Sequence, residues 1–138
     1  MSLIYLDACI IIYIVEKHPI YSSSIEDLIR NLNDAELCYA PLARMECLVM
    51  PFRTKDSQLK KLYEEFFNTQ KILSLPIEVF DEAARLRSEF TVLKTPDALH
   101  LATALHHNCD EFWTNDNRLE QIAPNIVKNI LKPSKENA

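Results

Sequence analysis

The order of short apolar runs and helical stripes constrains this chain more than any other feature. Five runs have strand length: "SLIYL" (2–6), "ELCYA" (36–40), "KILSL" (71–75), "EFWT" (111–114) and "NIVKNI" (125–130). Longer segments between them place apolar residues at i, i+3, i+4 and i+7, the spacing of one helix face. Ile25, Leu28, Ile29 and Leu32 make one stripe, and Leu59, Leu62, Tyr63 and Phe66 another. Pro76 opens a helix carrying Val79, Phe80, Ala83, Leu86 and Phe90. In "KTPDALHLATAL", Thr95 is predicted as the N-cap, Pro96 as the first helical residue, and Ala98, Leu101, Ala102 and Leu105 as the buried stripe. "ACIIIYIVE" suits a short helix stopped by "KHP", and Pro41 opens a helix over "LARMECLVM". Strands alternating with helices predict an α/β domain whose central five-stranded sheet, mostly parallel, is covered on both faces. No repeat or linker divides the chain. Residues 1–131 are therefore expected to form one domain, and the tail 132–138, "KPSKENA", to be disordered.

Composition removes several functions. There is no glycine, so neither a P-loop nor a dinucleotide-binding fingerprint can be built. A net charge of −5 argues against gripping nucleic acid by bulk charge, although acids gathered at a metal site with a basic rim remain compatible with it. The longest apolar run, "ACIIIYIV", is too short to span a bilayer and follows an acid rather than a basic segment. No membrane association is expected, and the cytoplasm is the expected location. Cys9, Cys38, Cys47 and Cys109 form no CxxC pair and lie in apolar stretches, which predicts reduced, mostly buried thiols.

Four acids stand where acids are costly. In open α/β sheets, sites form outside the carboxyl ends of the strands. Asp7 directly follows the first run, and Asp116 comes two residues after the fourth. Asp97 lies in the first turn of its helix, where the dipole favours an anion. Glu46 shares the spacing of Leu42, Met45 and Val49, which assigns it to the core face of its own helix. A buried carboxylate there requires a partner or a cation. Each acid also has a structural explanation: Asp7, Asp97 and Asp116 as caps or first-turn residues, Glu46 as a partner of Arg44. Residues at i and i+2 do not face each other on a helix, however. Four converging carboxylates repel unless positive charge lies between them. Mg²⁺ or Mn²⁺ takes oxygen ligands of this kind, and one or two such ions promote phosphodiester hydrolysis.

The segments "IYLDACIIIYIVE", "LARMECLV", "KTPDALHLATAL" and "FWTNDNRL", in this order, resemble the PIN-domain ribonucleases. Among those, they are most similar to the VapC-type toxins of prokaryotic toxin–antitoxin pairs. The likeness runs from about residue 3 to 130, and "DALHLATAL…TND" is its most specific part. It implies a three-layer α/β/α PIN fold, an acidic quartet at Asp7, Glu46, Asp97 and Asp116, and supporting polar residues at Thr114 and Asn115. It also implies Mg²⁺- or Mn²⁺-dependent cleavage of RNA such as tRNA or rRNA, a small cognate antitoxin and a homodimer. One departure is clear: Ala8 and Cys9 stand where a hydroxyl residue commonly follows the first acid, leaving at most a weak thiol donor.

Other readings fit these residues less well. A PIN nuclease of RNA processing would share the quartet without being a toxin. A catalytically inactive module binding RNA or protein would not need it intact. A receiver-like signalling domain pairs two acids near its first strand, whereas only Asp7 stands there and Glu46 is left unexplained. His100, three residues after Asp97, fits packing or hydrogen bonding better than catalysis. His106, His107 and Cys109 lack a complementary pair for zinc, and Cys9 has no neighbouring activator. Arg44, Arg53, Lys55 and Lys94 are candidates for RNA contact, with Lys60 and Lys61 beside them. Tyr13 and Phe52 are candidates for base stacking, although core packing is the stronger reading for Tyr13.

Overall fold

The computed structural model describes residues 1–131, so the expectation for the tail lies outside the described residues. The strands are β1 (Ser2–Leu6), β2 (Ala35–Tyr39), β3 (Lys71–Ile72), β4 (Glu111–Thr114) and β5 (Val127–Asn129). The helices are α1 (Ala8–Val15), α2 (Ser22–Arg30), α3 (Pro41–Thr54), α4 (Ser57–Thr69), α5 (Ile77–Glu89), α6 (Thr95–His106) and α7 (Asn117–Ile122). All strand pairs are parallel, in the order β3-β2-β1-β4-β5. The sheet expected to be mostly parallel is wholly so.

The pleat sorts the core into two layers. Tyr5 and Phe112 point to one face, where Val79, Ala83 and Leu86 of α5 and Ala98, Leu101 and Ala102 of α6 cover them. Ile4, Leu6 and Trp113 point to the other, beneath Ile10 and Ile11 of α1, Ala43 and Cys47 of α3, and Tyr63 and Phe67 of α4. Successive side chains on opposite faces are what a strand dictates. Two cores on one sheet make the three-layer α/β/α arrangement. All four cysteines are free, and Cys38, Cys47 and Cys109 are buried. Among the described residues no helix is long and apolar enough to cross a membrane.

Several local expectations are corrected. The "KILSL" run forms a strand only at Lys71 and Ile72, because β3 is an edge with a single partner and Pro76 soon ends the run. The last strand is likewise shorter than "NIVKNI". Leu28, Leu62, Phe80 and Leu105 are exposed rather than buried, since each lies at the border of a stripe wider than the contact its helix makes. The first amide bond of α6 closes on the carbonyl of Lys94, so Lys94 rather than Thr95 occupies the cap position and no side chain caps that helix.

Helix α3 runs past Met50 and through Pro51 to Thr54. Proline costs the helix one amide bond, but its fixed φ is helical, and Pro51 lies on the buried side of the helix. The helix ends at Lys55 in the left-handed region, with φ 56°. Lys17, Asp34 and Asn108 also sit there, the usual place of glycine in a chain that has none.

Candidate active site

The strand order locates the site before any side chain is considered. From β1 the chain moves outward to β2 and β3, then crosses back to place β4 and β5 on the other side. The reversal leaves a crevice at the carboxyl ends of β1 and β4, the place where open parallel sheets bind ligands. Asp7 ends the first of these strands, and Asp116 follows the second after Thr114 and Asn115.

These two acids are held by caps and by one shared hydroxyl. Asp7 is the N-cap of α1, with Oδ1 accepting from the Ala8 amide at 2.8 Å. Its Oδ2 accepts from the Thr114 hydroxyl at 2.8 Å. The Thr114 oxygen in turn accepts from the amide of Asp116 at 3.2 Å. Asp116 caps α7 through the Arg118 amide at 2.8 Å, and the Arg118 guanidinium lies 3.3 Å from its second oxygen. Capping and membership of an acid cluster are thus compatible. Thr114 is fully buried. Thr114→Val is expected to destabilise the protein by about 1–3 kcal/mol in urea unfolding, because a buried amide and a carboxylate each lose a partner.

Asp97, the third residue of α6, lies half-buried at the same end of the sheet. Burial first, then the charges of Asp7 and Asp116 and more weakly of Glu46, hold its carboxyl above the usual range, and His100 acts in the opposite sense. Asp97 therefore feels all three other acids. For Asp116, burial acts upward, but hydrogen bonds from the side chain and backbone of Arg118 outweigh it and the net displacement is downward.

Glu46 arrives by a different route from the one its sequence spacing suggests. The buried line of α3 is Ala43, Cys47 and Pro51 with Leu48, while Met45 and Val49 face outward. Glu46 stands at the border of that line, with its side chain 32% exposed. Its partner is not Arg44, whose guanidinium lies over the Phe67 ring at 5.5 Å. Its Oε1 meets Nε2 of His100 at 2.5 Å, and the same nitrogen is 3.9 Å from Oδ1 of Asp7. One buried histidine thus lies between Glu46 of α3, which it bonds, and Asp7, the N-cap of α1.

A family model described as PIN domain matches residues 4–124. The chain belongs to the PIN domain family. Its fold is also that of solved PIN proteins from toxin–antitoxin systems, as the sequence motifs imply. VapBC2 from Rickettsia felis, bound to a DNA fragment from their promoter, gives a TM-score of 0.77 at 17% identity, over 92% of this chain and 98% of that one. A toxin–antitoxin complex from Klebsiella pneumoniae gives 0.76 at 20% identity, over 96% and 100%. VapC20 from Mycobacterium tuberculosis, a sarcin–ricin loop cleaving toxin, gives 0.73 at 8% identity, over 87% and 95%. At such identities the likeness is one of fold. A search of curated proteins found no match.

Within this PIN domain, no three His, Cys, Asp or Glu side chains among the described residues are already grouped as a metal-binding set. The donor chemistry nonetheless suits a hard divalent cation. All four acids offer oxygen, and Mg²⁺ is commonly held by only one or two carboxylates while keeping several waters. The upward displacement at Asp97 comes first from burial and then from neighbouring negative charge, and a cation would offset both. The zinc reading fails on contacts as well: His107 bonds the Ser74 carbonyl at 2.8 Å and Cys109 lies beside Cys38.

The other candidates separate by position. Asn115 donates to the Tyr13 hydroxyl at 3.0 Å, so Tyr13 belongs to the edge of the site rather than to the deep core. The Cys9 thiol, pushed up to about 12 by burial and by Asp7, is a weak donor near Thr114 and Asn115 and not a nucleophile. Lys94 caps α6 three residues before Asp97, and Arg44 lies a half-turn from Glu46. Arg53 and Lys55 are seven and nine residues beyond Glu46, which carries them roughly 10–14 Å farther along the helix axis. Arg118 escaped the sequence reading. Its signal was the place two residues after an acid that caps a helix, where backbone and guanidinium reach the same carboxylate.

Proposed function

We propose that this PIN domain is a Mg²⁺- or Mn²⁺-dependent RNA endonuclease and the toxin of a toxin–antitoxin pair. One observation carries the reading: Asp97, half-buried at the carboxyl end of the sheet beside Asp7 and Asp116, has its carboxyl pushed upward first by burial and then by the charges of Asp7, Asp116 and, more weakly, Glu46. Carboxylates brought to one end of the sheet, only Asp116 of them beside an arginine, favour the binding of a cation. A divalent cation there would lower the pKa of water and neutralise charge developing on a phosphodiester. Asp7, Glu46, Asp97 and Asp116 are the residues to hold it. The remaining work falls to the chain itself. Thr114 fixes the spacing of Asp7 and Asp116, Asn115 fixes Tyr13 beside them, and Lys94, Arg44 and Arg118 supply positive charge for the RNA backbone.

The partners follow from the same reading. The solved relatives that carry toxin–antitoxin names support a small cognate antitoxin, and the relative named for cleaving the sarcin–ricin loop supports structured RNA as substrate. An apolar face on α3, with Met45, Val49 and Phe52 exposed, supports a protein partner, either the antitoxin or a second copy of this chain. Free thiols suit the reducing cytoplasm.

Purified protein incubated with total tRNA and rRNA tests the proposal. Discrete products with Mg²⁺ or Mn²⁺, absent with EDTA, are expected. A folded protein that neither cleaves RNA nor binds Mn²⁺ would overturn it in favour of a binding module.

A further inference from the structure

We infer that His100 is a positioning residue that, with Tyr5 behind it, aims the Glu46 carboxylate into the acid cluster; this rests on the nuclease reading above. The geometry is a chain of three side chains from three elements. The Tyr5 hydroxyl of β1 lies 2.5 Å from Nδ1 of His100 on α6, and Nε2 of His100 lies 2.5 Å from Oε1 of Glu46 on α3.

Its direction follows from donor counting. A carboxylate only accepts, so Nε2 carries the hydrogen and donates to Glu46. In the neutral ring that hydrogen on Nε2 leaves Nδ1 to accept from the Tyr5 hydroxyl; in the imidazolium Nδ1–H donates to the phenol oxygen instead, and Nε2–H faces Glu46 in both. Either way Nε2 is the donor to Glu46, and the neutral ring has the Nε2–H tautomer. Packing fixes the relay: Tyr5 and His100 are fully buried, their rings meet edge to face at 5.7 Å, and Phe112 stacks on Tyr5 at 4.9 Å.

Glu46 needs this support more than the other acids do. Asp7 and Asp116 are short side chains pinned as helix caps, and Asp97 sits on the first turn of α6. Glu46 lies in the second turn of its helix, on a longer and more exposed side chain with more rotamers to lose. The imidazole holds one oxygen and leaves the other for a cation. Histidine and carboxylate exchange their usual ranks here: the carboxylate is the ligand and the histidine orients it, as outer hydrogen bonds orient metal ligands in general. The relay also joins α3 to β1 and α6, so it sets where Glu46 stands relative to Asp7.

The test is Mn²⁺ affinity measured by EPR titration, with no RNA present, on the wild-type protein, His100→Leu, His100→Gln and Tyr5→Phe. His100→Leu is expected to weaken Mn²⁺ binding roughly tenfold or more. His100→Gln, which keeps an N–H donor toward Glu46, is expected to stay within about threefold of wild type, a rescue that a mere packing role would not give. Tyr5→Phe removes a single oxygen and is expected to weaken binding by a smaller factor. In the metal-free wild type, the ¹⁵N spectrum of His100 should be that of the Nε2–H tautomer. Folded His100→Leu with wild-type affinity overturns the proposal. Should His100→Leu not fold, Tyr5→Phe decides: unchanged affinity with an unchanged tautomer overturns it. A wild-type protein that binds no Mn²⁺ overturns the nuclease reading and this proposal together, whereas wild-type binding indifferent to these substitutions overturns this proposal alone.

Discussion

Asp97→Asn is expected to abolish metal-dependent RNA cleavage, by roughly 10³- to 10⁴-fold, while leaving the metal-free protein folded and more stable than wild type. The two halves of this expectation share one cause. Burial and the neighbouring acids raise the Asp97 carboxyl in the folded state above its unfolded value. The folded protein then binds more protons in the window between those two values, and stability falls as pH rises through it. Above the folded value the full repulsive cost is present, and asparagine cannot incur it. Thermal melts in EDTA should therefore nearly coincide at low pH and separate toward neutral pH, with Asp97→Asn melting higher. Adding Mg²⁺ should raise the wild-type melt more, because a ligand that binds only the folded state stabilises it. An Asp97→Asn protein less stable than wild type at neutral pH would contradict the crowding.

Phe112→Ala should cost about 3–5 kcal/mol, the range for removing a fully buried aromatic ring, and lower the melting temperature by roughly 10–17 °C. Phe112 is completely buried in β4, which pairs with β1 on one side and β5 on the other. Its ring stacks on Tyr5, so the cavity opens directly beneath the relay to Glu46. Leu62→Ala is the natural comparison. Leu62 also belongs to an apolar stripe in the sequence, but it is 50% exposed and should cost well under about 1 kcal/mol. Urea unfolding of both variants separates a core position from a stripe that merely looks like one.

That contrast explains what the sequence could and could not convey. Alternating strand-length runs and helical stripes were enough for the parallel sheet, because a βαβ chain has few other ways to bury both kinds of face. Asp7, Asp97 and Asp116 were legible because each follows a strand end or opens a helix, where chain position alone says which edge of the sheet it occupies. Glu46 meets His100 by a geometry that its spacing does not convey. The spacing with Met45 and Val49 marks an exposed apolar face, and the true packing line runs through Ala43, Cys47 and Pro51. The Tyr5–His100–Glu46 relay had no local signature, since it joins residues 95 and 54 positions apart. Arg118 was missed for a related reason: a first-turn arginine is ordinary until the carboxylate it reaches is known.

The central place of β1 also has a consequence in time. Its first neighbour is local, with Ser2 aligned to Ala35 of β2. Its second, β4, brings Glu111 opposite Ile4, and the bond from Thr114 to Asp7 spans 107 positions. Contacts of such long range form late, after the intervening loop has been ordered. A chain emerging from the ribosome only as far as α5 holds Asp7 and Glu46 on an unfinished sheet, with one edge of β1 still open and neither Asp97 nor Asp116 yet made. Asp97 and Asp116 reach the ends of β1 and β4 only after α6 and β4 have been made, so the crevice is completed late in synthesis.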